Sequence, residues 1–348
     1  VLSQTGTELK KLRNLVSILI FTIALLMTGT ASAGTMEAID YLAGYEAVKY
    51  GKNDGLLSVE ANAIVQTPDG YIWTGTYSGL YRYDGAAFER VSPDANVSSV
   101  MELYVDSRGR MWIGTNDSGL GCYLPESGKT VFYTENDGLT ANSIRAVTED
   151  KDGNIYVGTV EGISYIDKDG KVKNPEDFSS ISGVRSLSSF DGITCGVTNG
   201  GELFSLMGER FLGERKCDVP GVDYTCVTMQ SKNAILVGTS GSIIDMLYSD
   251  GEVPVLKDRF DAGDMSYFSS IVYDDENNQF FFGTENGLGV IDENTGDIFS
   301  LTQEGFESSV SDVIKDYQGN VWFVSNKQGV LKFSPNPFTD VFVKAGID

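Results

Sequence analysis

The sequence contains no histidine. That removes the commonest general base, the serine–histidine and cysteine–histidine nucleophile pairs, and most zinc and copper sites. Aspartate, glutamate, tyrosine and lysine remain for acid–base work. Acidic side chains outnumber basic ones 49 to 26, for a net charge of −23. Most of them sit in turns that recur along the chain, and recurrence points to folding rather than to a carboxylate pair flanking a glycosidic bond. The segment Asp150-Lys-Asp-Gly-Asn154 lacks the full ligand spacing of a calcium loop and reads as a turn. No catalytic residue, metal site or cofactor is therefore expected. Cys122, Cys195, Cys217 and Cys226 form no C-x-x-C motif. Cys217 and Cys226 are near enough in sequence to pair in an oxidising compartment; the alternative is four small buried residues.

Two cations stand out against this acidic background. Arg145 and Arg185 each follow an apolar residue at the start of a strand, in successive repeats of the chain. Two guanidiniums close together would bind a carboxylate or uronate, unless each pairs with a neighbouring acid as a salt bridge between repeats. A chain this acidic repels phosphate backbones and anionic lipid heads, so no nucleic-acid partner is expected.

The elements that must position these residues are repeats. Tyr71-Ile-Trp-Thr-Gly-Thr76, Met111-Trp-Ile-Gly-Thr115, Ile155-Tyr-Val-Gly-Thr159, Ile235-Leu-Val-Gly-Thr239 and Phe280-Phe-Phe-Gly-Thr284 are copies of one strand, with degenerate copies at 193–197 and 321–325. The glycine position falls at 75, 114, 158, 196, 238 and 283, with Val324 as the seventh. A period of about forty residues with four strand signals per unit is the pattern of a β-propeller. Within a unit an alternating strand comes first, then an acidic turn ending in glycine, the aromatic-Gly-Thr strand, a second glycine turn, a third strand such as Gly79-Leu-Tyr-Arg-Tyr83, and a short outer strand such as Phe88-Glu-Arg-Val91. We name these strands A to D from the axis outwards. Strand B, covered on both faces, is almost continuously apolar, and its glycine permits close approach of the next blade. High glycine (40) with little proline (8) suits a meander of short strands and tight turns. The expected fold is all-β: a seven-bladed β-propeller of four-stranded antiparallel blades over residues 45–335.

Lys10, Lys11 and Arg13 precede the apolar run Leu15–Met27, which ends in Ala31-Ser-Ala33. This describes an N-terminal signal peptide helix over residues 1–33, cut after Ala33, followed by a linker at 34–44. An uncleaved anchor over Leu15–Ala33 is the alternative. Either places the body outside the cytoplasmic membrane, at its periplasmic or extracellular face. Residues 336–348 read as the start of a following segment.

The succession Asp-Gly-Leu, Asp-x-x-Gly, aromatic-Ile-Gly-Thr and Gly-Leu-x-x-Tyr-Asp resembles the two-component regulator propeller repeat, over nearly everything after Tyr45. Blades four and five depart from it, at Ile193-Thr-Cys-Gly-Val197 and Gly241-Ser-Ile-Ile-Asp245. The resemblance implies an extracytoplasmic sensory module feeding a histidine kinase or diguanylate cyclase type of output that this chain does not contain. It implies a small-molecule or oligosaccharide ligand and a signalling output or membrane partner, and it leaves a homodimer open. The competing classes are an exported carbohydrate-active propeller enzyme and a surface scaffold for protein interaction.

A propeller ligand meets the loops and strand ends around the axis. Besides Arg145 and Arg185, the candidate ligand-binding residues there are Tyr77, the large aromatic of the B–C turns, which could stack on a sugar ring, with Asn116 in a B–C turn and Asn62 and Asn142 in the D–A linkers. Ring closure is also legible. Val48-Lys-Tyr-Gly-Lys-Asn-Asp-Gly-Leu56 parallels Val131-Phe-Tyr-Thr-Glu-Asn-Asp-Gly-Leu139, so Glu46–Tyr50 is a strand D with no blade of its own. It is expected to pair with Gly329–Phe333 in blade seven, the rival being Phe338–Val343 folding back into that slot.

Overall fold

Twenty-eight short strands arrange themselves as seven four-stranded antiparallel sheets. The structure, a computed structural model, describes residues 44–335 except 232, 302 and 304. The proposed signal peptide, most of the linker, the following segment and the rival strand Phe338–Val343 lie outside the described residues. Among those described, helix is confined to three single 3-10 turns, and no helix is long and apolar enough to cross a membrane.

Strand A begins the blades at Ala61–Gln66, Val100–Val105, Ile144–Glu149, Val184–Phe190, Tyr224–Ser231, Phe268–Asp274 and Asp312–Lys315. Each A strand contacts the A strands of the blades on either side, which closes the ring. Strand B is buried at every position in blades one, two, three, four, six and seven, as its apolar sequence requires.

The strand B glycines show why the repeat needs them. A Cβ added to Gly75 would lie 2.4 Å from Val100 Cγ1, and one added to Gly283 would lie 2.3 Å from Val310 Cγ1. In both cases the atom met belongs to the start of the next blade. Blade seven carries Val324 instead, and the corresponding first residue of blade one is Ala61. Both are buried in one cluster, so the volume has moved to the other side of the same contact.

The acidic turns are explained by hydrogen bonding. Asp106 accepts from the backbone N–H groups of Arg108 (3.0 Å) and Arg110 (2.9 Å), and from the indole of Trp112 at 2.8 Å. Asp316 accepts from the Trp322 indole at 2.7 Å in the same way. Asp150 accepts from the backbone of Asp152 and from both nitrogens of Asn154. In blades two and seven one carboxylate thus holds a turn and satisfies the buried tryptophan N–H of strand B, a part taken in blade one by the Thr67 hydroxyl, which accepts from the Trp73 indole at 3.0 Å. All four cysteines are free thiols; Cys217 is partly exposed and the others are buried.

Closure follows the register argument. Tyr45–Tyr50 pairs antiparallel with Gly329–Pro335, from Tyr45 opposite Pro335 to Tyr50 opposite Val330, and forms the outer strand of blade seven. Tyr50 stacks on Trp322 at 5.8 Å between centroids and meets Tyr83 and Phe88 of blade one edge-on. The N-terminal strand therefore completes one blade and fills the groove against the next. Tyr50→Ala should cost about 3 kcal/mol, the usual loss for truncating a buried aromatic. Deleting residues 1–51 should lower the melting temperature far more than trimming residues 336–348, measured by thermal denaturation; equal effects would refute this mode of closure.

Candidate functional site

Strand A is the inner edge of every blade, and in blades one to six it does not run straight. Its pairing with strand B slips at the second position, between Ala61 and Ala63, Val100 and Glu102, Ile144 and Ala146, Val184 and Ser186, Tyr224 and Cys226, and Phe268 and Ser270. Each is a β-bulge, and a bulge re-aims the extra side chain. The bulged residues are Asn62, Met101, Arg145, Arg185, Thr225 and Ser269. One device repeated around the ring thus creates a circle of side chains, and both arginines occupy it.

The residues after the bulges form a second circle, and its polar members tie neighbouring blades together. The Ser186 hydroxyl accepts from Val227 N–H at 3.0 Å, and Asp312 Oδ2 accepts from Ile64 N–H at 3.1 Å. Ser270 accepts from Val313 N–H at 3.4 Å, and the Glu102 carboxylate accepts from the Val147 backbone. In each pair, with blade seven counted from Val310, the acceptor is at the third position of one blade and the donor is at the fourth of the next. The free edge of a strand leaves such N–H groups without a ladder partner, and the neighbouring blade supplies one.

These circles enclose an axial cavity of 260 Å³ to which all seven blades contribute, lined by Asn62, Arg145, Arg185, Glu102 and Asp312 among others. The sequence-derived pair Arg145 and Arg185 therefore share one site. Neither makes a salt bridge among the described residues. Arg145 donates to the carbonyl of Ile144 and, at 2.9 Å, to the side chain of Asn116 in the blade-two B–C turn. Arg185 donates to the carbonyl of Asn199 and to the Tyr267 hydroxyl, each at 3.2 Å. Both guanidiniums thus reach neutral oxygens on the loop face of the ring. Burial lowers the Arg145 pKa from its ordinary value, yet an arginine remains charged under all ordinary conditions.

The other expected site residues divide. Asn62 lines the cavity and donates to Val100 O at 2.8 Å. Asn116 stands beside it as the Arg145 acceptor. Tyr77 is 46% exposed on its turn, and its carbonyl accepts from Ser99 N–H. Asn142 lies outside the cavity lining, with its side chain accepting from Glu135 N–H within the D–A linker, at 2.9 Å.

Three residues had no candidate role from the sequence. Tyr267, in the blade-six D–A linker, adopts a left-handed backbone at φ 59°, unusual for a bulky side chain. Its bond to Arg185 reaches from blade six to blade four. Glu102 and Asp312 are the other two. Burial raises both carboxyls, Asp312 to about 6, and Glu102 is raised further by the Asp312 charge. Aligning the strand A segments on strand B places both acids one position after the arginines in the repeat.

Because these acids are held above the ordinary range, the folded protein binds protons more readily than the unfolded chain between the two pKa values. Their ionisation therefore opposes folding at high pH, and for Asp312 that penalty is relieved as pH falls through about 6 towards about 4. Glu102→Gln keeps an acceptor for Val147 and removes one charge. It should be more stable than the parent at pH 7.5, with the gap narrowing as pH falls and vanishing only below the unfolded glutamate's range, about 4, in thermal melts. A variant less stable than the parent at pH 7.5 would contradict this.

A family model for the two component regulator propeller matches residues 94–117 and 138–161. No curated protein matches the sequence. Among solved structures, the chain is similar to the extracellular domain of a hybrid two component system from B. thetaiotaomicron, at 22% identity and TM-score 0.68, over 84% of this chain and 42% of that one. A second such extracellular domain from the same organism gives 15% identity and TM-score 0.64, over 84% of this chain and 39% of that one. A catalytically inactive histidine-to-alanine variant of virginiamycin B lyase from Staphylococcus aureus, with quinupristin, gives 15% and 0.66, over 83% of this chain and 98% of that one. These likenesses are of fold, and the chain spans less than half the length of the two-component structures. The two matched segments each cover a D–A linker with strands A and B, in blades two and three. The chain is thus a seven-bladed propeller that carries the two component regulator propeller repeat at residues 94–117 and 138–161.

Proposed function

We propose that this propeller is the ligand-sensing input module of an extracytoplasmic signal-transduction protein, and that it takes a small anionic molecule or an acidic sugar at the loop-side mouth of the axial cavity. The observation that carries this reading is the pair Arg145 and Arg185, set by adjacent bulges in one cavity with only neutral oxygens for partners. In a chain of net charge −23, two half-buried cations with no acidic partner among the described residues are an acceptor for a carboxylate. The likeness to extracellular domains of two component systems supports a sensor, and export through the segment before Ala33 agrees with it.

The lyase likeness favours a second reading, an exported enzyme on the same fold. That reading has to do without the residue type whose replacement by alanine accompanies inactivity in the lyase variant, because this chain has no histidine. Its cavity acids instead sit within a chain of backbone contacts between blades.

Two outcomes are expected. Arg145→Ala and Arg185→Ala should each weaken glucuronate or galacturonate binding at least about tenfold, the worth of one charge-assisted contact, with the melting temperature of the free protein nearly unchanged. Uronate binding that survives both substitutions would overturn the site. Incubation with a glycan library should release neither reducing ends nor unsaturated products; release abolished by Glu102→Gln or Asp312→Asn would replace the sensor with the enzyme.

A further inference from the structure

The order of charges around the cavity is itself informative. Reading round the ring from blade seven, the cavity is lined by Asp312, then Asn62 of blade one, Glu102 of blade two, Arg145 of blade three and Arg185 of blade four. Blades five and six contribute no charged side chain: their polar lining residues are Cys226, Thr228, Ser269 and Ser270. In a seven-membered ring, blade seven stands across the axis from blades three and four. One side of the cavity is therefore acidic and another basic.

The two signs do not cancel each other. No ion pair joins Glu102 or Asp312 to either arginine among the described residues. The arginines, on the bulges, turn to the loop-face oxygens of Asn116, Asn199 and Tyr267. The acids, one residue further along strand A, turn to the backbone of the next blade. Cys226 is the other titratable group lining the cavity, and burial pushes its thiol up to about 12, so it stays neutral.

A ligand that is only an anion would meet the arginines and be repelled by the acids beyond them. We propose that the cavity is built for a zwitterion: a small molecule whose carboxylate lies on Arg145 and Arg185 and whose ammonium group faces Glu102 and Asp312. This names the ligand class of the site proposed above and rests on that reading. A volume of 260 Å³ is at the small end for ligand pockets, which suits an amino acid or a single amino-sugar acid and leaves no room for a longer oligosaccharide. An ammonium beside the two carboxyls would also offset the unfavourable ionisation that burial imposes on them.

The test uses matched probes on the intact protein, read by calorimetry and thermal shift. Muramic acid is the zwitterion, N-acetylmuramic acid the same skeleton as an anion, and glucosamine the cation; the α-amino acids with their N-acetyl and methyl ester derivatives form a second series. In the parent, at least one zwitterion should bind about tenfold or more tightly than its N-acetyl and cationic counterparts, since acetylation removes a charge-assisted contact. Glu102→Gln, which keeps its backbone acceptor, should erase that preference while leaving anion binding intact or stronger, and Arg145→Ala should weaken zwitterion and anion alike. Equal or tighter binding of the N-acetyl forms by the parent, with loss in Arg145→Ala, would overturn the zwitterion and keep the anion site. Binding of no probe, or binding indifferent to Arg145→Ala, would overturn both. Circular dichroism of each variant separates loss of binding from loss of fold.

Discussion

A propeller blade turns the bare edge of its innermost strand towards the axis, and the site described here follows from how that edge is satisfied. Strand A has a ladder partner on one side only. On the other side its N–H groups must find acceptors or water. In this protein the neighbouring blade supplies them through Ser186, Ser270, Asp312 and Glu102. The bulge one residue earlier frees a different side chain from the same constraint. The two circles thus divide the work: bulged residues such as Asn62, Arg145 and Arg185 are released to the cavity, and the next residue can join blade to blade.

Packing between blades obeys the same economy of space. Glycine in strand B and a β-branched or aromatic residue at the start of the next blade make one contact, as in Gly75 against Val100 and Gly238 against Phe268. Blade seven exchanges the partners' sizes, with Val324 and Ala61 in one cluster. The tyrosines and tryptophan of the closing groove then seal the place where the chain ends meet. Interiors are packed too densely for such exchanges to occur one residue at a time.

Most of the fold was legible because it repeats. The Gly-Thr spacing gave the blade number, and the match of 48–56 with 131–139 gave the closing pair. The candidate site was legible in part. Arg145 and Arg185 stood out as cations in an acidic chain, at equivalent positions. Glu102 and Asp312 did not, because an acid is unremarked among 49, and only the ring's curvature brings blade two and blade seven towards the same space. Tyr267 was hidden for another reason: a strained linker backbone aims it, and no residue type announces such a conformation. Asn142 stands apart from the cavity lining. Its linker position suited a rim residue, but its carbonyl oxygen was needed to hold the Glu135 N–H of a local turn.

The closing pair has a mechanical consequence. Tyr45 and Pro335 face each other at one end of their ladder, so the flanking chain enters and leaves the ring side by side. Because the bulges and B–C turns mark the opposite end of the blades, both attachments emerge on the face away from the cavity mouth. Tension between the flanking segments would peel the six paired positions from Tyr45 towards Tyr50 in sequence, the weakest direction in which to load an antiparallel pair, rather than shear them together. The ring would open as a zip, beginning at Tyr45 and arriving last at Tyr50, where the aromatic seal holds blade seven to blade one.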